Sequence, residues 1–119
     1  MLRIDPQIDQ VFLHRAPVDM RRGFDGLATI VAQVLGMDPF GGALYLFTNK
    51  RKDRIKILAW IETGFAIYYH RLEQEKFKWP ARLDEQVIQL SGEQLKWLLG
   101  GYDVWRMKPH KVLHFKHIT

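Results

Sequence analysis

Cysteine is absent from this 119-residue chain, which excludes disulfides and thiolate chemistry together and suits a reducing cytoplasm. Also missing is any uninterrupted apolar run near the roughly 18 residues a bilayer crossing needs. The first ten residues, "MLRIDPQIDQ", place acids and a proline where a signal peptide would need an apolar core. These absences predict a soluble, cytoplasmic protein with no membrane partner. No G-x-x-x-x-G-K-[ST] phosphate loop, G-x-S-x-G elbow or H-E-x-x-H zinc helix occurs. Asp19, Asp25, Asp38, Asp53 and Glu62 show no spacing that marks a metal site. The chain is therefore read as a non-enzyme, with no catalytic residue, no metal and no cofactor. Internal repeats, low-complexity tracts and linkers are lacking too.

What remains is a composition that folds. Apolar residues make up 47% and aromatics 13%, and the length suits one domain spanning residues 1–119 with a single hydrophobic core. The net charge of +5 is unevenly spread. Residues 1–49 carry −1, residues 50–82 carry +5, residues 83–105 carry −3, and the basic tail 106–119 carries +4. A polarised basic surface concentrates phosphate-bearing partners, whereas scattered charge mainly aids solubility.

Periodicity supplies the elements. "QVFLH" (Gln10 to His14) reads as a short strand. In "MRRGFDGLATIVAQVLG", Phe24, Leu27, Ala28, Val31, Val34 and Leu35 recur at helical spacing, with Asp19 or Asp25 available to its start and Gly36 to its end. From Leu44 onward, three apolar runs separated by "NKRKD" and "ETG" predict an antiparallel meander. "KFKWP" suggests a short fourth strand stopped by Pro80. Ser91 with Gln94 has the spacing of a capping box ahead of Leu95, Leu98 and Leu99, and Gly100-Gly101 offers a stop. The expected fold is α+β: one domain with a central antiparallel β-meander and two main helices.

Three clusters invite a functional reading. The segment "NKRKDRIK" puts Lys50, Arg51, Lys52, Arg54 and Lys56 around one acid, at a hairpin tip between apolar runs. Such a tip is either a solvated turn that discourages edge pairing or a set of phosphate contacts, since a two-stranded ribbon can lie along DNA. In "DMRRGFDG", Arg21 and Arg22 either pair locally with Asp19 and Asp25, or one of them turns outward as an anion clamp. Adjacent helical positions diverge by about 100°, so the two arginines are not expected to share a job. Arg71, Lys76 and Lys78 would extend a basic track if they share a face. Tyr68 and Trp79, beside these cations, are the candidates for stacking on unpaired bases. His110, His114 and His117 lack the cysteines, acids or spacing that zinc would require.

Taken in order, "VDMRRGFDGLATIV", "DPFGGALYLFTNKRKDRIKILAW", "GFAIYYHRLEQEKFKWP" and "LSGEQLKWLLGGYDV" resemble one family from about Val11 to Val104. It is the small accessory protein, called TnpB, of insertion sequences of the IS-66 type, distinct from the RNA-guided nucleases of the same name. One departure is "WIETGFAIYY", where the family pattern leads one to expect an acid and glycines directly after the tryptophan. The resemblance implies a role in transposition beside a separate DDE transposase, which becomes an expected partner, and supplies no catalytic residues. Two readings follow, beside a third, a cryptic metal-dependent nuclease, that no spacing of the carboxylates supports. In the first, the chain is a DNA-binding accessory factor of weak sequence specificity, acting through the basic hairpin. In the second, it is an adaptor or dimeric scaffold that binds the transposase without touching DNA. A homodimer is compatible with either.

Overall fold

"LYLFT" is apolar or uncharged at every position, the pattern of a strand covered on both faces. In the computed structural model, which describes residues 10–80 and 84–106, this segment is β2 (Leu44–Thr48), and all five of its residues are buried. Around it are β1 (Val11–His14), α1 (Phe24–Thr29), β3 (Arg54–Ile61), β4 (Gly64–Arg71), β5 (Val87–Leu90) and α2 (Gly92–Leu99). The five strands form one sheet in the order β4-β3-β2-β1-β5. The predicted meander is β2-β3-β4, antiparallel throughout. The sheet is nevertheless mixed, because β1 lies parallel to β2 after a helical crossover.

Alternation sorts the core into two layers. Val11, Leu13, Leu44, Leu46, Ile55, Ile57 and Leu90 pack with Leu95 and Leu98 of α2. On the other face Tyr45, Phe47 and Leu58 meet Leu27, Ile30 and Val31. One helix therefore covers each face of one α+β domain. No helix among the described residues is long and apolar enough to cross a membrane.

Three local expectations are corrected. Neither Asp19 nor Asp25 caps the first helix; Gly23 is its N-cap, with no side-chain hydrogen bond. From Ile30 to Val34 the helix continues as a π-helix, with Leu35 N–H bonding to Ile30 O at 3.0 Å. The wider turn shifts the buried stripe: Ile30 turns inward, while Val34 and Phe24 of the 3.6-residue stripe are about half exposed. "KFKWP" is not a strand of the sheet. Phe77 N–H bonds instead to Lys52 O, the Trp79 indole N–H to Arg15 O, and both rings enter the α2-side core. The fifth strand is Val87–Leu90, paired antiparallel with β1.

The second helix forms as its sequence dictates. Gln94 N–H bonds to Ser91 Oγ at 3.0 Å, and Gln94 Oε1 accepts from Ser91 N–H at 2.9 Å. The chain leaves it through Gly101 at φ 92°, a left-handed conformation suited to glycine. At the β3–β4 turn a non-glycine residue bears that cost, since Glu62 has φ 49°. This is the turn where the sequence lacks the expected glycine. Replacing Glu62 with Gly should stabilise the fold by about 1 kcal/mol, seen as a higher urea midpoint with an unchanged slope.

Candidate nucleic-acid interface

The strand directions bring separated cations to one end of the sheet. His14, Thr48, Arg54, Arg71 and Val87 all lie at that end of their strands. The β2–β3 tip, the loop from β1 to α1 and the segment after β4 consequently meet there. At the opposite end, the turns at 36–43 and 61–64 hold Asp38 and Glu62 and no Lys or Arg. Among the described residues, charge is therefore polarised along the strands.

Asn49 builds the tip. It is 8% exposed; its Oδ1 accepts from Asp53 N–H and Arg54 N–H, both at 3.2 Å, and its Nδ2 donates to Asp53 Oδ1 at 2.7 Å. Its carbonyl also accepts from Lys52 N–H at 3.1 Å, with Lys52 at φ 62°. The bond from Asn49, aided by the charges of Arg54 and Arg51, lowers the Asp53 carboxyl below its ordinary range. Outside the tip, Leu72 N–H reaches Asp53 O at 2.8 Å and Phe77 N–H reaches Lys52 O at 2.7 Å. The turn's inward carbonyls are thus satisfied, while Lys50 and Arg51 stay exposed.

The ten predicted residues gather at this end but do not act alike. Arg54 and Arg71 are directly opposite each other on the α1 face, a like-charge pairing that costs stability. Arg71 donates to Glu73 at 3.1 Å, while the buried Arg54 Nε has no partner. Lys56 sits two residues along the same row, yet it is engaged. Its Nζ donates to Met20 O at 2.6 Å and Arg22 O at 2.9 Å, and lies 5.3 Å from the Tyr69 ring centre. It tethers the β1–α1 loop to β3.

That loop separates its two arginines. Arg21 forks onto Asp19, with Nη2 to Oδ2 at 2.7 Å and Nε within 3.1 Å of both oxygens. The hydrogen bonds from the Arg21 side chain and N–H bring the Asp19 carboxyl down to about 2. The Arg22 side chain makes no hydrogen bond or ion pair among the described residues, and its stem lies over Gly26. The local pairing and the outward arginine are therefore both present, on neighbouring residues.

Lys76 and Lys78 alternate with buried Phe77 and Trp79, so they point away from the α2-side core and are exposed. They lie in the segment after β4 that meets the tip through the bond from Phe77 N–H to Lys52 O. The stacking expectation is also corrected. Trp79 is buried against the core, and Tyr68 packs on the same cluster with its hydroxyl 3.4 Å from His70 Nδ1. Arg15 was missed by sequence reasoning, although it follows β1 immediately. Its Nε donates to Glu85 O at 2.9 Å, and only the strand order puts it beside the tip. No group of three or more His, Cys, Asp or Glu among the described residues could hold a metal; the tail histidines lie outside those residues.

Two outcomes follow from this geometry. Lys56→Met should cost about 1–3 kcal/mol, because two carbonyls lose a charged donor, measurable by urea unfolding. Asp19 should titrate near 2 by carboxyl NMR, and Arg21→Ala should return it toward 3.8. Because the folded value is depressed, its contribution to stability is complete above about pH 4 and fades as pH falls toward 2.

The family described as IS66 Orf2 like protein matches residues 9–109. "Uncharacterized protein y4jC" of Sinorhizobium fredii (strain NBRC 101917 / NGR234) is 32% identical over 99 residues, covering 83% of this chain and 84% of the relative. "Uncharacterized protein y4hO" of the same strain is 33% identical over 97 residues, covering 82% and 83%. No solved structure matches the chain. A match over nearly the whole described fold, supported by both relatives, makes the chain a member of the IS66 Orf2-like family, the TnpB accessory proteins of IS66 insertion sequences.

Proposed function

We propose that the protein is a non-catalytic DNA-binding factor in the transposition of its element, acting with the transposase through the basic end of its sheet. The observation that carries this reading is uncompensated charge held in place. The side chains of Arg22, Lys50, Arg51, Lys76 and Lys78 make no hydrogen bond or ion pair among the described residues, and Arg54 faces Arg71. A protein that needed only a soluble turn would gain nothing from opposing two arginines across a strand pair. A polyanion approaching that end would relieve the repulsion.

The ligand class follows from what accompanies the cations. Trp79 is buried in the core and Tyr68 is half-buried against it, so the site offers charge and hydrogen-bond donors more than a stacking platform. Phosphate contacts of that kind position a protein on a duplex without reading its sequence. A tip held by Asn49 loses little freedom on binding, and the cations on its two sides can reach phosphates on either side of it.

Fluorescence anisotropy of labelled duplex and single-stranded DNA across a salt series tests this. Changing Lys50, Arg51, Lys52 and Arg54 together to Ala should make the log–log salt slope shallower by about 3 to 4 units, near 0.9 per phosphate. Arg22→Ala should remove about one unit, and Arg21→Ala less, because Asp19 already neutralises that side chain. Equal, weak binding by wild type and quadruple variant would overturn the reading.

A second reading, an adaptor that binds the transposase protein, rests on a different surface. Phe40 is 56% exposed and packs on Trp60 and Phe65 at centroid separations of 5.1 and 5.3 Å, with Phe24 also exposed on the α1 side. Exposed aromatic clusters of this kind mark protein contacts. Capture of the transposase that survives nuclease and high salt, and is lost in Phe40→Ser, is the result expected of it.

A further inference from the structure

Among the described residues, the sheet ends on one side in an unprotected edge. β4 runs for eight residues, "GFAIYYHR", paired without a bulge to β3 along its whole length. Among the described residues no other strand lies beside it, and no backbone hydrogen bond from a loop reaches its outer side. It contains no proline or lysine and holds its one arginine at its last position. Those are the devices by which proteins prevent edge pairing. The other edge, β5, has only four residues.

The side chains of β4 are self-complementary. We propose that β4 pairs antiparallel with β4 of a second copy, about a two-fold axis through Ile67, giving a continuous ten-stranded sheet. In that register Phe65 of each copy meets Tyr69 of the other on the α1 face. On the α2 face Tyr68 meets Ala66, and His70 meets Gly64, so each large residue faces a small one. Tyr69 is 53% exposed in the single chain, and an aromatic cross-strand pair would cover it.

Charge selects the antiparallel direction. Arg54, Arg71 and the tip occupy one end of the strands, while Glu62 and Asp38 occupy the other. Antiparallel pairing brings Arg71 of each copy beside the Glu62 turn of the other. Parallel pairing would set the two basic ends together. The dimer is isologous, as closed two-fold assemblies are. If the basic ends contact DNA as proposed above, the dimer would carry two such ends facing opposite ways, about 25 Å apart along the strands.

The test needs no DNA, so its failure is separable from failure of the DNA reading. Sedimentation equilibrium of the wild-type protein should give twice the 14.1 kDa chain mass. Ile67→Lys, which puts two like charges on the axis, should weaken the dimer at least tenfold while its circular dichroism stays native. The cysteine-free chain permits a second measurement. Ile67→Cys should cross-link with itself under mild oxidation, since paired Cα atoms lie about 4.5–5.5 Å apart. Tyr69→Cys alone should not cross-link, whereas Phe65→Cys combined with Tyr69→Cys should. A monomer at high micromolar concentration would overturn the proposal. So would a dimer in which Ile67→Cys fails to cross-link.

Discussion

Burial of β2 on both faces is the constraint from which the rest of the architecture follows. A strand with no solvated side needs a layer above and a layer below, and two short helices supply one each. The parallel addition of β1 follows from it, because a chain that leaves β1, forms α1 against one face and returns as β2 arrives in the parallel sense. The second helix is left for the opposite face, where Leu95 and Leu98 close the layer with Phe77 and Trp79.

The same topology produces the electrostatic polarity. β1, β2 and β4 finish at the end where β3 and β5 begin, so loops far apart in sequence converge there. Cations from the β1–α1 loop, the β2–β3 tip and the segment after β4 then crowd one rim. The chain accommodates them in different ways: Arg21 is neutralised by Asp19, Lys56 is used as a tether, and Arg71 leans on Glu73. The remaining charges are left to solvent or to a partner. Asn49 is central because it converts a charged loop into a shaped one, satisfying the backbone internally and leaving the exposed lysine and arginine as free donors.

Family membership supplies the biological setting, transposition, while the physical features supply candidate means. A basic rim, an aromatic surface on the α1 side and a bare strand edge occupy three different parts of the molecule. Binding at one need not exclude binding at another, which suits a small accessory protein working among larger components.

Much of this was determined by local sequence. The three apolar runs of the meander, the Ser91–Gln94 capping box and the solvated hairpin "NKRKDRIK" are short-range features, legible because their period and turn chemistry act within a few residues. What escaped a sequence reading depends on partners distant along the chain. Asp19 has the chemistry of a helix cap, but Arg21 occupies its carboxylate. Val34 belonged to the apolar stripe until a π turn rotated Ile30 inward in its place. Lys56 looked like one more phosphate contact, but a loop more than thirty residues earlier places two carbonyls over it. Trp79 looked free to stack on a base, yet Arg15 O and the core hold it. In each case the sequence determined which groups were available, and tertiary structure decided which were already satisfied, because hydrogen-bond and burial partners are assigned by proximity in space.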